Sequence, residues 1–111
     1  MRDKDVRGMQ EVYVAGVGMT ELGKLTADAH ELAVRACCEA LRDAAMLPSQ
    51  IEGLVSTPTG YMAEPRKFIC QKMGDYLGTT CALMAEVDCG GNSGAQALKI
   101  AANEIRLGRI K

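Results

Sequence analysis

The sequence predicts a layered α/β fold, with a sheet of parallel strands and crossover helices. Two observations predict it. β-rich apolar runs alternate three times with runs whose apolar residues recur at helical spacing, and glycine, proline or capping residues stand at the boundaries. Strands that alternate with helices lie parallel, because each helix returns the chain to the same end of the sheet. With 111 residues and no internal repeat, the chain holds at most one small domain.

The first predicted strand covers residues 11–18, a β-rich run that ends in glycines. From Asp28 to Met46, apolar residues recur at three- and four-residue steps and form one stripe, which predicts an amphipathic helix. Asp28, with Glu31 three residues later, is similar to a capping box at the start of this helix. Pro48 is predicted to stop it.

The second predicted strand covers residues 52–57, and the sequence TPTG after it predicts a turn. Pro65 suits the first turn of the second helix, and Gly78 suits the end of that helix. The third strand is predicted over residues 82–88. We expect all three strands to lie parallel in one sheet.

The third helix is predicted over residues 93–107 and ends at Gly108. Residues 109–111 look like the lead-in to a fourth strand, and a natural domain rarely stops after so few strands. We therefore expect a fragment, in which residues 1–10 are an N-terminal extension and residues 11–111 belong to one incomplete domain.

Composition excludes several classes of function. The formal net charge is −1, with 13 basic and 14 acidic residues mixed along the chain, which argues against nucleic-acid and membrane-surface partners. No apolar run is long enough to cross a bilayer and the charged start is unlike a signal peptide, so we expect a soluble, cytoplasmic protein. The 5 cysteines lack a disulfide framework, and the lone His30 lacks neighbours at metal-ligand spacing, so we expect reduced thiols and no metal site.

One glycine pattern leaves a nucleotide-binding alternative. Gly18, Gly23 and Lys24 fit the G-x-x-x-x-G-K part of a phosphate-binding loop. The motif then needs a serine or threonine for magnesium, where this chain has Leu25. The next helix also begins near Asp28, too late for its N-terminus to meet the phosphates. The pattern therefore meets only part of what a P-loop-like nucleotide binder requires.

Three stretches that cover most of the chain are VYVAGVGMTELGKL (12–25), HELAVRACCEALRDAAMLPSQIEGLV (30–55) and AEVDCGGNSGAQALKIAANEIRLGRI (85–110). In this order and spacing they resemble thiolase-superfamily proteins of the sterol-carrier-protein and archaeal acetyl-CoA acetyltransferase type. Residues 57–84 match only weakly. The resemblance implies the incomplete N-terminal half of a layered thiolase-like fold, because the family's polypeptide is several times longer.

The resemblance also implies a nucleophilic cysteine where a buried strand turns into a helix. A helix N-terminus stabilises a thiolate, and in the family the cysteine takes an acyl group from acyl-CoA. When this chain is aligned on the family's pattern through Gly94, Ala97 and Leu98, the nucleophile falls on Gly91. Cys89 lies two residues upstream, an offset of several ångströms, whereas attack geometry tolerates about 1 Å. Cys89 is therefore either a displaced nucleophile or a bystander, and we expect the bystander.

The same elbow supplies the predicted substrate-binding groups. We expect it to be formed by residues 90–93, with Gly94 opening the helix and packing closely on the strands. Backbone donors at a helix start can stabilise an oxyanion whatever atom makes the attack. The predicted donors are the backbone N–H groups of Gly91, Asn92, Ser93 and Gly94.

The function that the resemblance implies is a thiolase-like acyl-CoA acyltransferase, which forms or thiolytically cleaves a carbon–carbon bond. Its substrate would be a coenzyme A thioester, with no further cofactor, and its acid–base residues would lie beyond Lys111. Cysteine-lacking relatives leave two alternatives: a lipid-transfer-like aldolase, or a non-catalytic subunit that binds acyl-CoA. The implied partners are acyl-CoA or CoA and a second subunit, in a homodimer or hetero-oligomer. We expect the fragment alone to be inactive.

Overall fold

The structure, a computed structural model, describes residues 8–57, 69–79 and 81–111. Its elements are helix α1 (Ala29–Asp43), a 3-10 turn (Pro48–Gln50), strand β1 (Gly53–Ser56), helix α2 (Ile69–Leu77), strand β2 (Leu83–Glu86), a second 3-10 turn (Gly90–Asn92) and helix α3 (Ser93–Arg106). The three predicted helices and the second and third predicted strands are confirmed. The predicted start of the second helix at Pro65 lies outside the described residues.

Strands β1 and β2 form a parallel two-stranded sheet. Their register runs from Gly53 opposite Leu83 to Ser56 opposite Glu86. The backbone N–H of Val87 continues the ladder by donating to the carbonyl of Ser56 at 2.9 Å. The parallel arrangement predicted for these two strands is therefore confirmed, and both strands end at the same edge of the sheet.

The sheet lies between α2 and α3. Neighbouring residues of a strand face opposite sides, so one side of β1 can pack on each helix. On the α2 side, a Cβ built at Gly74 would lie 2.8 Å from the Met84 side chain and 3.7 Å from that of Leu54. On the other side, Gly53 lies against the side chain of Ile110, just beyond α3, and α3 itself contacts β1. This is the layered arrangement that the sequence predicts.

Few apolar side chains are fully enclosed within the described residues. The buried ones come from α2, the end of β2, α3 and the segment after α3, and they are Cys70, Met73, Val87, Ala97 and Ile110. The core of the described residues therefore lies where α2, α3 and the segment after α3 pack on the two strands. In the described part of the chain, no helix has the length and hydropathy that a bilayer crossing requires.

Residues 11–18 form no strand, so that prediction is wrong. A β-rich sequence favours extended backbone, but a strand also needs a hydrogen-bonded neighbour. Here the Val17 N–H donates to the Asp43 carboxylate at 2.9 Å, and the Gln10 N–H donates to the carbonyl of Arg106 at 3.2 Å. The segment therefore lies against helices instead of joining the sheet, and large side chains on its outer side are exposed: Tyr13, Val14, Val17, Met19 and Leu22.

Two glycines seat this segment on α1. A Cβ at Gly16 would lie 2.4 Å from the carbonyl oxygen of Ala40, and a Cβ at Gly18 would lie 2.1 Å from that of Ala36. Only glycine permits so close an approach of two backbones. The P-loop pattern would use Gly18 to bind phosphate. In the structure, the backbone of α1 occupies the space beside Gly18. Packing against α1 thus explains the glycines at positions 16 and 18.

All three helices of the described residues end in the same hydrogen-bonded motif, in which the residue after the cap has a positive φ. Gly78 (φ 66°) and Gly108 (φ 71°) hold this position after α2 and α3, as predicted. After α1 it is held by Ala45 (φ 52°), so α1 ends at Asp43, several residues before Pro48. The predicted extension of this helix to Met46 is therefore wrong, because alanine here adopts a conformation that glycine usually supplies.

Candidate active site

The candidate site is the elbow where β2 leads into α3. β2 ends at Glu86, Val87 is buried, and the 3-10 turn Gly90–Asn92 carries the chain into Ser93, the first residue of α3. In parallel α/β sheets, ligands bind beyond the carboxyl ends of the strands. The elbow lies at that edge, where the sequence predicts it.

The elbow is held together by short-range hydrogen bonds. Gly90 has a φ of 65°, a left-handed conformation that glycine adopts without strain, and its N–H lies 3.4 Å from a carboxylate oxygen of Asp88. The Ser93 hydroxyl donates to the Gly90 carbonyl at 2.7 Å and accepts from the Cys89 N–H at 2.9 Å. The backbone N–H of Ser93 also donates to the Gly90 carbonyl. These hydrogen bonds hold the elbow, residues 88–93, in one compact conformation.

The structure brings the predicted site residues together, in different environments. Cys89 is exposed and directly precedes the turn. Gly91 and Asn92 lie in the turn and are exposed, whereas Ser93 is only 8% exposed. Because the Ser93 N–H already donates to the Gly90 carbonyl, it is occupied within the chain. The donor role of the other N–H groups stays a prediction.

Gly91 and Gly94 have unoccupied space where a Cβ would lie. A Cβ built at Gly94 would meet no atom of the described residues, which include both strands, within 4 Å, so the predicted close packing of Gly94 on the strands is wrong. The elbow turns through the 3-10 residues before the helix, and this holds position 94 away from the sheet. Gly91 also has room for a Cβ, and its φ is not in the left-handed region. A Cβ can therefore be added at position 91 without backbone strain and without collision with the described residues.

Sequence reasoning missed a second concave feature between α1 and α2. Before the apolar stripe of α1, the sequence predicts a solvated histidine at the helix start, but His30 is only 4% exposed, so that prediction is wrong. It lines an open depression of about 480 Å³ together with two acidic residues, one lysine and one tyrosine, namely Asp28, Asp75, Lys72 and Tyr76. The packing of α2 against the start of α1 encloses His30, and a sequence pattern does not report which helices pack together.

The cysteines differ in exposure and in acidity. Cys38 and Cys89 are exposed, and Cys70 is buried. Burial raises the pKa of the Cys37 thiol above its ordinary value, and the neighbouring Cys38 raises it further. Since the thiolate is the reactive form, Cys37 should be a poor nucleophile at neutral pH.

We expect iodoacetamide at neutral pH to label Cys89 and Cys38 at rates within about threefold of each other, because exposed thiols without special activation react alike. Cys37 and Cys70 should react more slowly. Peptide mass spectrometry over a time course measures all four rates in one sample. Cys38 is the matched control, since it shares the exposure of Cys89 but lies mid-helix. Labelling of Cys89 about tenfold faster than Cys38 would identify an activated thiolate.

Solved structures share this arrangement. An acetyl-CoA acetyltransferase from Syntrophomonas wolfei superposes with a TM-score of 0.74 at 25% sequence identity, over 92% of this chain. OleA from Xanthomonas campestris superposes with a TM-score of 0.68 at 22% identity, over 80% of this chain. The 3-oxoacyl-(acyl carrier protein) synthase III of Xanthomonas oryzae gives 0.62 at 22% identity, over 77%. No protein-family model and no curated protein sequence matches the chain.

These three structures come from acyltransferases of the thiolase superfamily. The chain spans between 25% and 27% of their length, so it corresponds to about a quarter of such a protein. At identities this low the shared property is the fold: a parallel sheet, crossover helices and a strand-to-helix elbow. The chain therefore has the fold of the N-terminal part of thiolase-superfamily proteins.

Proposed function

We propose that this chain is the N-terminal part of an acyl-CoA acyltransferase, and that the elbow between β2 and α3 receives the acyl group. The observation that carries the proposal is the placement of the elbow at the carboxyl edge of a parallel sheet, within a fold similar to that of an acetyl-CoA acetyltransferase. The substrate would be a coenzyme A thioester, and the reaction would form or thiolytically cleave a carbon–carbon bond.

The elbow has the chemistry that an acyl carbonyl requires. An exposed turn with free space at Gly91 can admit a thioester, and turn N–H groups can donate to an oxygen that gains negative charge. Removing one such donor typically costs an enzyme about 3 kcal/mol of transition-state stabilisation. The contribution proposed for the elbow is therefore to bind and polarise the acyl group.

One observation favours a second candidate function. The residue that aligns with the family's nucleophile is Gly91, which has no side chain, and Cys89 precedes the turn instead of lying in it. A lipid-transfer-like aldolase or a non-catalytic acyl-CoA-binding subunit would use the elbow without covalent chemistry. Both alternatives keep acyl-CoA as the ligand, and both differ from a thiolase with a cysteine nucleophile in that no thiol becomes acylated.

Replacement of Cys89 tests the covalent role directly. We expect Cys89→Ala in the full-length protein to change the rate of acyl transfer from acetyl-CoA by no more than about threefold, because the exposed thiol lies outside the turn. Loss of a covalent nucleophile lowers kcat by several powers of ten. A loss of that size would show that Cys89 is the nucleophile. Absence of both acetyl-CoA binding and acyl transfer in the wild-type protein would contradict the proposed function itself.

We further propose that the acting protein is a homodimer or hetero-oligomer in the cytoplasm. The support is the apolar outer side of the segment before α1, where Tyr13 and Leu22 are 77% and 86% exposed. Apolar side chains in such a group mark a surface that further protein covers. The remainder of the longer polypeptide, a second subunit, or both would supply that cover.

A further inference from the structure

The hydroxyl of Ser93 is the most constrained polar group of the elbow. Ser93 is only 8% exposed, although the residues of the turn that precedes it are exposed. The hydroxyl acts as both donor and acceptor within the elbow: it donates to the Gly90 carbonyl at 2.7 Å and accepts from the Cys89 N–H at 2.9 Å. We therefore assign the hydroxyl to stabilising the conformation of the elbow and not to contacting a substrate.

These bonds fix the orientation of the peptide between Gly90 and Gly91. The Gly90 carbonyl is drawn toward the start of α3 by two donors, the hydroxyl and the backbone N–H of Ser93. The chain has no cis peptide among its described residues, so the carbonyl and the N–H of each planar peptide point in opposite directions. Because the Gly90 carbonyl points at Ser93, the Gly91 N–H points away from Ser93. Gly91 is itself exposed.

We propose that Ser93 is a positioning residue of the site: its buried hydroxyl holds the Gly90–Gly91 peptide so that the Gly91 N–H faces the bound acyl carbonyl. The inference rests on the proposed function, because it assigns this N–H to an acyl group. Ser93 acts through Gly91 and contacts no reacting atom. It also removes the Cys89 N–H from use by a ligand, since that group donates to the hydroxyl.

The backbone part of the inference is measurable without activity. Hydrogen exchange should show that the Cys89 amide of the full-length protein is protected, and that Ser93→Ala speeds its exchange about tenfold, as loss of one hydrogen bond allows. Ser93→Thr keeps a hydroxyl and should restore the protection. The Val87 amide, which donates to Ser56 in the sheet, is the internal reference and should exchange alike in all three proteins.

The catalytic part is read from a split between kcat and KM. Ser93→Ala should lower kcat for acyl transfer from acetyl-CoA by about tenfold to a hundredfold and leave KM within about twofold, because a misaligned donor is lost mainly from the transition state. Ser93→Thr should recover most of kcat. A merely structural role would instead lower the amount of folded enzyme, which active-site titration and thermal melting report.

The outcomes separate the two claims. Faster exchange at Cys89 with unchanged kcat in Ser93→Ala would overturn the positioning role and leave the proposed function standing. Unchanged exchange at Cys89 would overturn the hydroxyl bond on which the inference stands. A wild-type protein that neither binds nor turns over acetyl-CoA would overturn the proposed function, and the positioning role with it, whatever the exchange rates.

Discussion

Gly91→Cys should give the full-length protein a thiol that acetyl-CoA acylates at least about a hundredfold faster than any cysteine of the wild type, the scale of effect that a covalent nucleophile has. Position 91 has room for the Cβ of this cysteine, because a Cβ there meets no atom of the described residues within 4 Å and its φ is not left-handed. The thiolate would attack the thioester carbonyl and form a new carbon–sulfur bond. Coenzyme A would leave as its thiol, carrying the proton that the cysteine gave up. Intact-protein mass spectrometry measures the bound acetyl group.

Two variants control this experiment. Gly91→Ala adds the same Cβ without sulfur and should gain no acetyl group. Cys89→Ala combined with Gly91→Cys should acylate as fast as Gly91→Cys alone, since the reaction is assigned to position 91. Peptide mapping decides the position of the adduct. Acylation at Cys89, or at position 91 no faster than at the exposed Cys38, would contradict the placement of the acyl site at the turn.

Gly18→Ala should destabilise the protein by about 3 kcal/mol or prevent folding, because overpacking against backbone cannot relax by a rotamer change. The new Cβ would lie 2.1 Å from the carbonyl oxygen of Ala36 and 2.5 Å from the backbone nitrogen of Ala40. The segment would have to lift from α1, which would also break the hydrogen bond from Val17 to Asp43. The free energy of unfolding from urea titration measures the effect.

Gly94→Ala is the matched control for this substitution. It makes the same chemical change in a helix, at a position where the Cβ meets none of the structure's described atoms within 4 Å. Alanine is favoured over glycine in a helix by about 1 kcal/mol, so this variant should be as stable as the wild type or slightly more stable. Equal urea midpoints for Gly18→Ala and the wild type would show that the segment is not seated on α1.

Local signals in the sequence predicted the helices well. Asp28 accepts the backbone N–H of Glu31 at 2.9 Å, as the capping pattern indicates, and Gly108 ends α3 in the left-handed conformation. The two paired strands, predicted over residues 52–57 and 82–88, were found as Gly53–Ser56 and Leu83–Glu86. These features depend on residues a few positions apart, and for that reason the sequence reveals them.

Features that depend on distant partners were predicted less well. Residues 11–18 have a strand-like sequence but lie on α1. Whether such a segment forms a strand depends on whether it meets a partner strand, and the local sequence does not report that. His30 is buried because α2 packs near it, a contact between segments about 40 residues apart in the chain. The end of α1 at Asp43 depends on the left-handed Ala45, a conformation that alanine rarely adopts.

The candidate site divides in the same way. The sequence by itself determined where the elbow lies, because a glycine pair between an apolar strand and an amphipathic helix can only be a turn. It also predicted, through the resemblance, that Gly91 and not Cys89 aligns with the nucleophile of the thiolase superfamily. Only the tertiary structure decided that Gly94 stands in open space and that the Ser93 hydroxyl bonds to Cys89 and Gly90. The physical reason is that residue type fixes which hydrogen bonds are available, whereas the packed backbone fixes which of them form.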